Sequence, residues 1–157
     1  MQEKTTAMRI LDSAGITYQN HEYETSEAAS GLEVARLLGK DPETIFKTLV
    51  TTGKSGRHYV FMIPASANLD MKKAAQVCGE KSIEMLKSKD LLTLTGYVHG
   101  GCSPIGMRKT FPTFIDELAI ILKTIVISAG KIGHQVEMPL ADLQKVIHVI
   151  PADLSVQ

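Results

Sequence analysis

Ile45-Phe46-Lys47-Thr48-Leu49-Val50-Thr51-Thr52-Gly53-Lys54-Ser55-Gly56-Arg57-His58-Tyr59-Val60-Phe61-Met62-Ile63-Pro64 is the stretch on which the fold turns. Two runs rich in β-branched and aromatic residues flank a glycine-bounded turn, which predicts a β-hairpin with strands over 46–52 and 57–64. Inside the first strand stands Lys47. Side chains alternate along a strand, so Lys47 shares a face with Ile45 and Leu49, while Phe46, Thr48 and Val50 share the other. Neither face is polar, and register alone cannot turn the ammonium into water. A buried lysine must lose its proton, meet an anion or extend its head group to a cleft. The plainer reading is an edge strand whose lysine discourages edge-to-edge pairing.

Outward from the hairpin, helices and strands are interspersed. Residues 4–14 carry Ala7, Met8, Leu11 and Ala14 at helical spacing, with Gly15 as a stop. Residues 16–23 read as a strand containing Tyr18 and Tyr23. Thr25 or Ser26, with Glu27 behind it, is the expected cap of a helix striped by Val34, Leu37 and Leu38. Asp41-Pro42 opens a single helical turn into the Lys47 strand. Beyond the hairpin, helices are expected from Asp70 to Val77 and over 81–89, and a loop over 96–110. Strands are expected over 112–115, 124–128 and 135–138, and a final helix starts at Pro139 with Leu140, Leu143 and Ile147 inward. Strict βα alternation is missing. The expected class is therefore α+β, one domain over 1–157 with a mixed, curved, partly barrel-like sheet flanked by helices.

Composition sets outer limits. The 157 residues are 44% hydrophobic and 22% charged, enough for one real core. No apolar stretch approaches the roughly 18–20 residues of a membrane span, so no membrane partner is expected. The N-terminus has no hydrophobic signal core, and the two cysteines, Cys78 and Cys102, form no CxxC pair. A soluble protein of the reducing cytoplasm is expected. The formal net charge is zero, but residues 47–131 carry twelve basic against six acidic side chains. That local excess favours a phosphorylated ligand or a short stretch of RNA. Lys72, Lys73, Lys87 and Lys89 read as decoration of solvated helices.

Two glycine segments fall within that basic region. Gly100-Gly101-Cys102-Ser103-Pro104-Ile105-Gly106 exposes backbone N–H groups able to hold an anion or a developing oxyanion. It is neither a Walker A loop nor GxGxxG. Ser128-Ala129-Gly130-Lys131 places a hydroxyl and an ammonium at a strand end. Cys102 reads as a small loop residue rather than a catalytic thiol, although Arg108 and Lys109 are near it in sequence. His21, His58, His99, His134 and His148 show no metal-ligand spacing, and neither a metal nor a cofactor is expected. With no self-sufficient nucleophile in view, an enzyme built on this sequence would work by positioning and electrostatics.

Taken in order, Phe46-Lys47-Thr48-Leu49, the Gly100–Gly106 loop and Ser128-Ala129-Gly130-Lys131 resemble the YbaK/EbsC family, free-standing relatives of the editing domain of bacterial prolyl-tRNA synthetases. Tyr23 and Leu69-Asp70-Met71-Lys72-Lys73 extend the resemblance, which runs from about Ile10 to about Pro151. It implies a deacylase for cysteine mischarged onto tRNA(Pro), with Cys-tRNA(Pro) as substrate and prolyl-tRNA synthetase as the expected partner. It also implies a mechanism in which the substrate's own thiol attacks its ester and leaves as a thiolactone. Lys47 matches the essential lysine. Tyr23 and Thr48 match pocket positions, and the substrate-binding set continues with Gly100, Gly101, Ser103, Ser128, Gly130 and Lys131. Gly101 would offer backbone N–H contacts, and Ser128 would bond substrate or terminal adenosine. Where better-known members continue Arg-Gly-Leu-Asp, this chain has Ile132-Gly133-His134-Gln135, so an acidic contact is missing at Gln135. The competing readings are a deacylase for another small amino acid such as alanine and a non-catalytic module that binds tRNA ends.

Overall fold

The structure, a computed structural model, describes residues 4–25 and 28–156. Its centre is the hairpin. Strand β2 (Phe46–Gly53) pairs antiparallel with β3 (His58–Pro64), Lys47 opposite Ile63 and Thr48 opposite Met62. On the far side of β3 lie β6 (Thr113–Asp116) and then β9 (Val149–Ala152), both parallel to their neighbour. Strand β5 (Ile83–Met85) closes the other end, giving the order β5-β2-β3-β6-β9. The sheet is therefore mixed, and the class is α+β.

A second sheet runs β1-β8-β7, all antiparallel, from β1 (Gln19–Glu22), β7 (Ile125–Ser128) and β8 (His134–Met138). A parallel bridge from Ile45 to Val126 stitches it to the start of β2. Two further short strands, β4 (Asn68–Leu69) and β10 (Ser155–Val156), pair with each other.

Each face of the hairpin is buried against different partners. Phe46 and Met62 belong to a core with Ile115, Ile125 and Val136, closed by helix α1 (Thr6–Ser13) through Met8 and Leu11 and by α6 (Leu140–Val146) through Leu143. Tyr59, Phe61 and Ile63 face the opposite way and are covered by Ala74 and Ala75 of α3 (Met71–Cys78). Phe61 stacks on Phe114, its register partner in β6, with ring centroids 5.6 Å apart. The alternation read from the sequence is the alternation of the core.

Three expectations need correction. The helix expected over 81–89 is strand β5 followed by α4 (Ser88–Thr95); pairing of 83–85 with Thr51–Gly53 overrides the helix-forming composition of Lys-Ser-Ile-Glu-Met-Leu-Lys. The cap of α2 (Gly31–Leu38) is Ser30, whose Oγ accepts from the Glu33 N–H, and not Thr25. The alternatives Ser26 and Glu27 lie outside the described residues. Finally, residues 118–121 form a short helix, α5 (Leu118–Ile121), and β9 and β10 add strands, none of which was expected.

Candidate active site

Strand β2 has β3 along one edge, but its other edge is only partly covered. The β5 ladder reaches only Thr51–Gly53, and Leu86 adds one N–H to the Val50 carbonyl. At the opposite end the Val126 bridge involves Ile45. Among the described residues, nothing pairs with 46–49 on this side. The gap opens into a cavity of about 340 Å³ lined by Lys47, Thr48, the first turn of α2, Met85 and Leu86, the His99-Gly100 corner, Cys102, Ser128 and Gln135. Lys47 thus lies on a strand that is interior in the sheet order, at a stretch whose free edge is a cleft wall.

The electrostatics follow from that placement. Lys47 is half-buried, and desolvation pushes its ammonium below the ordinary lysine range, with no carboxylate opposing the effect. Among the described residues it has no ion-pair partner. The Thr48 hydroxyl is buried and likewise has no hydrogen-bond partner among them. Buried hydroxyls are normally satisfied, so this one is an acceptor and donor held ready for something else. Cys102 is buried, and burial pushes its thiol up to about 12, against a smaller opposing contribution from Thr95. It is a protonated thiol at neutral pH, as its reading as a small loop residue requires.

The loop after α4 is held rigidly. The Thr95 hydroxyl donates to the Leu91 carbonyl and accepts from the Tyr97 N–H, and the Tyr97 hydroxyl donates to the Ile105 carbonyl. Gly100 has a φ of 86°, and a Cβ there would fall 2.4 Å from the Ala28 Cβ, so only glycine fits this corner. Gly101 differs from expectation: its N–H donates to the Val98 carbonyl at 3.0 Å and is already occupied. Ser103 is fully buried, and its Oγ accepts from the Ile105 N–H, a role in shaping the loop. Gly130 has a φ of 94°, and a Cβ there would strike the Tyr97 ring at 2.8 Å. It sets how closely the two glycine segments approach.

Of the expected site residues, Lys47, Thr48, Gly100 and Ser128 form the cavity wall together. Ser128 lies directly opposite Gln135 in the β7–β8 ladder, and the Gln135 amide donates to the Tyr23 hydroxyl at 3.4 Å. Tyr23 therefore stands behind the wall. Gly101, Ser103, Gly130 and Lys131 do not line the cavity. Sequence reasoning missed Ser30 and Gly31, although Ser30-Gly31-Leu32-Glu33 is a capping-box pattern that locates the helix start. It also missed Met85, Leu86 and Leu91, which no local signal identifies, because their place depends on β5 pairing across the hairpin. No group of three or more His, Cys, Asp or Glu among the described residues is placed to hold a metal ion. No helix among them is long and apolar enough to cross a membrane.

Known proteins resemble this chain in sequence and in fold. A candidate Cys-tRNA(Pro)/Cys-tRNA(Cys) deacylase of Enterococcus faecalis, EbsC, is 46% identical over 138 residues, covering 87% of this chain and 84% of its own. The proline–tRNA ligase of Shouchella clausii is 27% identical over 110 residues, which are 70% of this chain but only 19% of the ligase. Among solved structures, a candidate trans-editing enzyme for prolyl tRNA synthetase superposes with a TM-score of 0.84 at 22% identity, covering 99% of this chain and 100% of that one. A hypothetical protein gives 0.85 at 22% identity, with 94% and 97% covered. These two likenesses concern the fold. The family profile described as the aminoacyl-tRNA editing domain matches residues 25–146, which hold every wall of the cleft, and the chain belongs to that family.

Proposed function

We propose that this protein is an aminoacyl-tRNA deacylase that removes cysteine mischarged onto tRNA(Pro), acting in trans as one editing domain over 1–157. One observation carries the reading: the cleft holds an unpaired, half-buried Lys47 beside an unpartnered Thr48 hydroxyl, while its only thiol, among the described residues, is protonated. Such a site binds and polarises an anionic ester but supplies no nucleophile of its own. The 46% identical relative bears a name of the same activity.

Each residue then has a task. Lys47 meets the terminal phosphate and polarises the ester carbonyl. The first turn of α2, lining the same cleft, adds the positive end of a helix. Thr48 and Ser128 bond the aminoacyl group or the terminal adenosine, with Tyr23 and Gln135 supporting that wall. Gly100, which forms the wall, takes the place expected for Gly101, and Ser103 and Gly130 shape the loops. The substrate thiolate attacks its own ester carbonyl: the S–C bond forms, the ester C–O bond breaks, and the thiol proton ends on the ribose oxygen. Products are a thiolactone and uncharged tRNA, and prolyl-tRNA synthetase is the expected working partner.

The test is incubation with Cys-tRNA(Pro) and Ala-tRNA(Pro), beside the Lys47→Ala variant, with identification of the released product. Fast loss of cysteine as thiolactone, with the variant inactive, is expected. Faster loss of alanine would reassign the substrate, free cysteine would indicate attack by water, and no loss from either would leave a module that binds tRNA ends.

A further inference from the structure

The charge balance of the cleft determines the state in which a substrate's α-amino group enters it. A charged tRNA end brings a phosphate and an α-ammonium. The cleft offers one ammonium, Lys47, and among the described residues lining it there is no carboxylate. Its other titratable groups are His99, which can only add positive charge, and Cys102, which is buried and protonated. Lys47 balances the phosphate. Among the described lining residues the α-ammonium meets no carboxylate.

Among the described residues, the carboxylates of the elements that form the wall are turned away or engaged. Glu137 shares the face of Gln135 two positions along β8, but it is bound by Lys40, His21 and Thr124. Glu33 in the first turn of α2 pairs with Arg36. Glu22 on β1, Glu84 on β5 and Asp90 on α4 are exposed. Opposite Ser128 in the same wall stands the uncharged Gln135. An uncompensated buried ammonium is costly, whereas a free amine or an amide is not.

We infer that this site takes the α-amino group uncharged, and that N-acylated aminoacyl-tRNA esters are therefore substrates alongside free ones. The inference rests on the deacylase reading. The amine makes and breaks no bond in the thiol step: with N-acetylcysteine the S–C bond still forms, the ester C–O bond breaks, and the ribose oxygen still receives the thiol proton. Acylation leaves the reaction balanced and removes the charge.

The experiment compares kcat/KM of the full chain on cysteinyl-tRNA(Pro) and N-acetylcysteinyl-tRNA(Pro), at about pH 6.5 and about pH 8, against protein-free controls. An α-amino group titrates near 7.7–8.0. Acylation also removes the ammonium that acidifies the neighbouring thiol, so each rate is divided by the protein-free rate of the same ester at the same pH, which carries the thiol's own ionisation. The ratio of blocked to free activity should therefore rise about tenfold on going to the lower pH. Gln135→Glu supplies a carboxylate and should reduce that rise to about twofold or less. The wild-type ratio stands alone if this variant fails to fold. Cleavage of the free ester only, or a ratio unchanged by pH, overturns the inference and leaves the deacylase reading intact. Cleavage of neither ester removes both.

Discussion

Lys47 and Thr48 are consecutive residues whose side chains leave β2 on opposite faces, yet both line the same cleft, because the strand edge they share is the one left without a partner. One residue brings an uncompensated charge and the other an unsatisfied hydroxyl. Both are local departures from a satisfied strand, and the proposed substrate end would answer both.

Thr48→Val keeps the shape and removes the unpartnered hydroxyl. Since a buried, unsatisfied hydroxyl is worth about 1 kcal/mol or more against stability, the variant should be at least as stable as wild type in urea. Its kcat/KM on Cys-tRNA(Pro) should fall about tenfold, the loss of one good hydrogen bond. A stability loss instead would mean that the hydroxyl is satisfied within the protein.

Lys47→Met should abolish deacylation and raise the melting temperature, by about 1–3 °C at neutral pH, the effect of less than 1 kcal/mol in a domain of this size. Burial lowers the lysine's folded pKa. The cost of holding its charge is therefore full at neutral pH, and wild-type stability recovers as pH rises through the folded value toward 10.5. The gap between the two proteins should narrow in alkaline thermal scans. A gap constant with pH would contradict the assignment.

Cys102→Ala should retain activity within about twofold, because a thiol near 12 contributes no thiolate at neutral pH. Native wild-type protein should leave Cys102 unalkylated by iodoacetamide at neutral pH, with labelling, read by peptide mass, appearing only on denaturation.

Glu137 is the group that ties acid stability to the second sheet. Burial alone would raise its carboxyl, but bonds from Thr124, Lys40 and His21 outweigh that and hold it at about 2, against an ordinary 4.5. Its contribution is complete above the ordinary value and is lost as pH falls from there toward 2, amounting to roughly 3 kcal/mol. Chemical denaturation between neutral pH and about pH 3 should show about 2 kcal/mol of that loss, and Glu137→Gln should flatten it while destabilising the neutral protein by about 3 kcal/mol through the stranded Lys40.

Local chemistry made much of this molecule readable in advance. The hairpin was legible because alternation and a glycine turn act within one segment, and Asp70 was legible as the start of α3 because its side chain caps Lys72 and Lys73 directly. Strand β5 was not. Ile83, Glu84 and Met85 take extended form only because Thr51–Gly53 offers them an edge, an influence from thirty residues away. The same limit applied to the site. Lys47 declared itself by being misplaced in an apolar strand, whereas the apolar wall from Met85 to Leu91 is ordinary until the fold brings it to the cleft. Gly101 shows a further limit: composition marks a loop rich in N–H groups but not which of them the loop itself consumes.

The pairing of β1 with β8 joins residues 19–22 to residues 134–137, and His21 reaches Glu137 across 116 positions. Contacts that span so much chain form late and slowly. On the ribosome, the β2–β3 hairpin and its lysine are complete while the wall bearing Ser128 and Gln135 is still unmade. Affinity for a charged tRNA end should therefore switch on in the last stage of synthesis, and a nascent chain ending before β8 should not bind it.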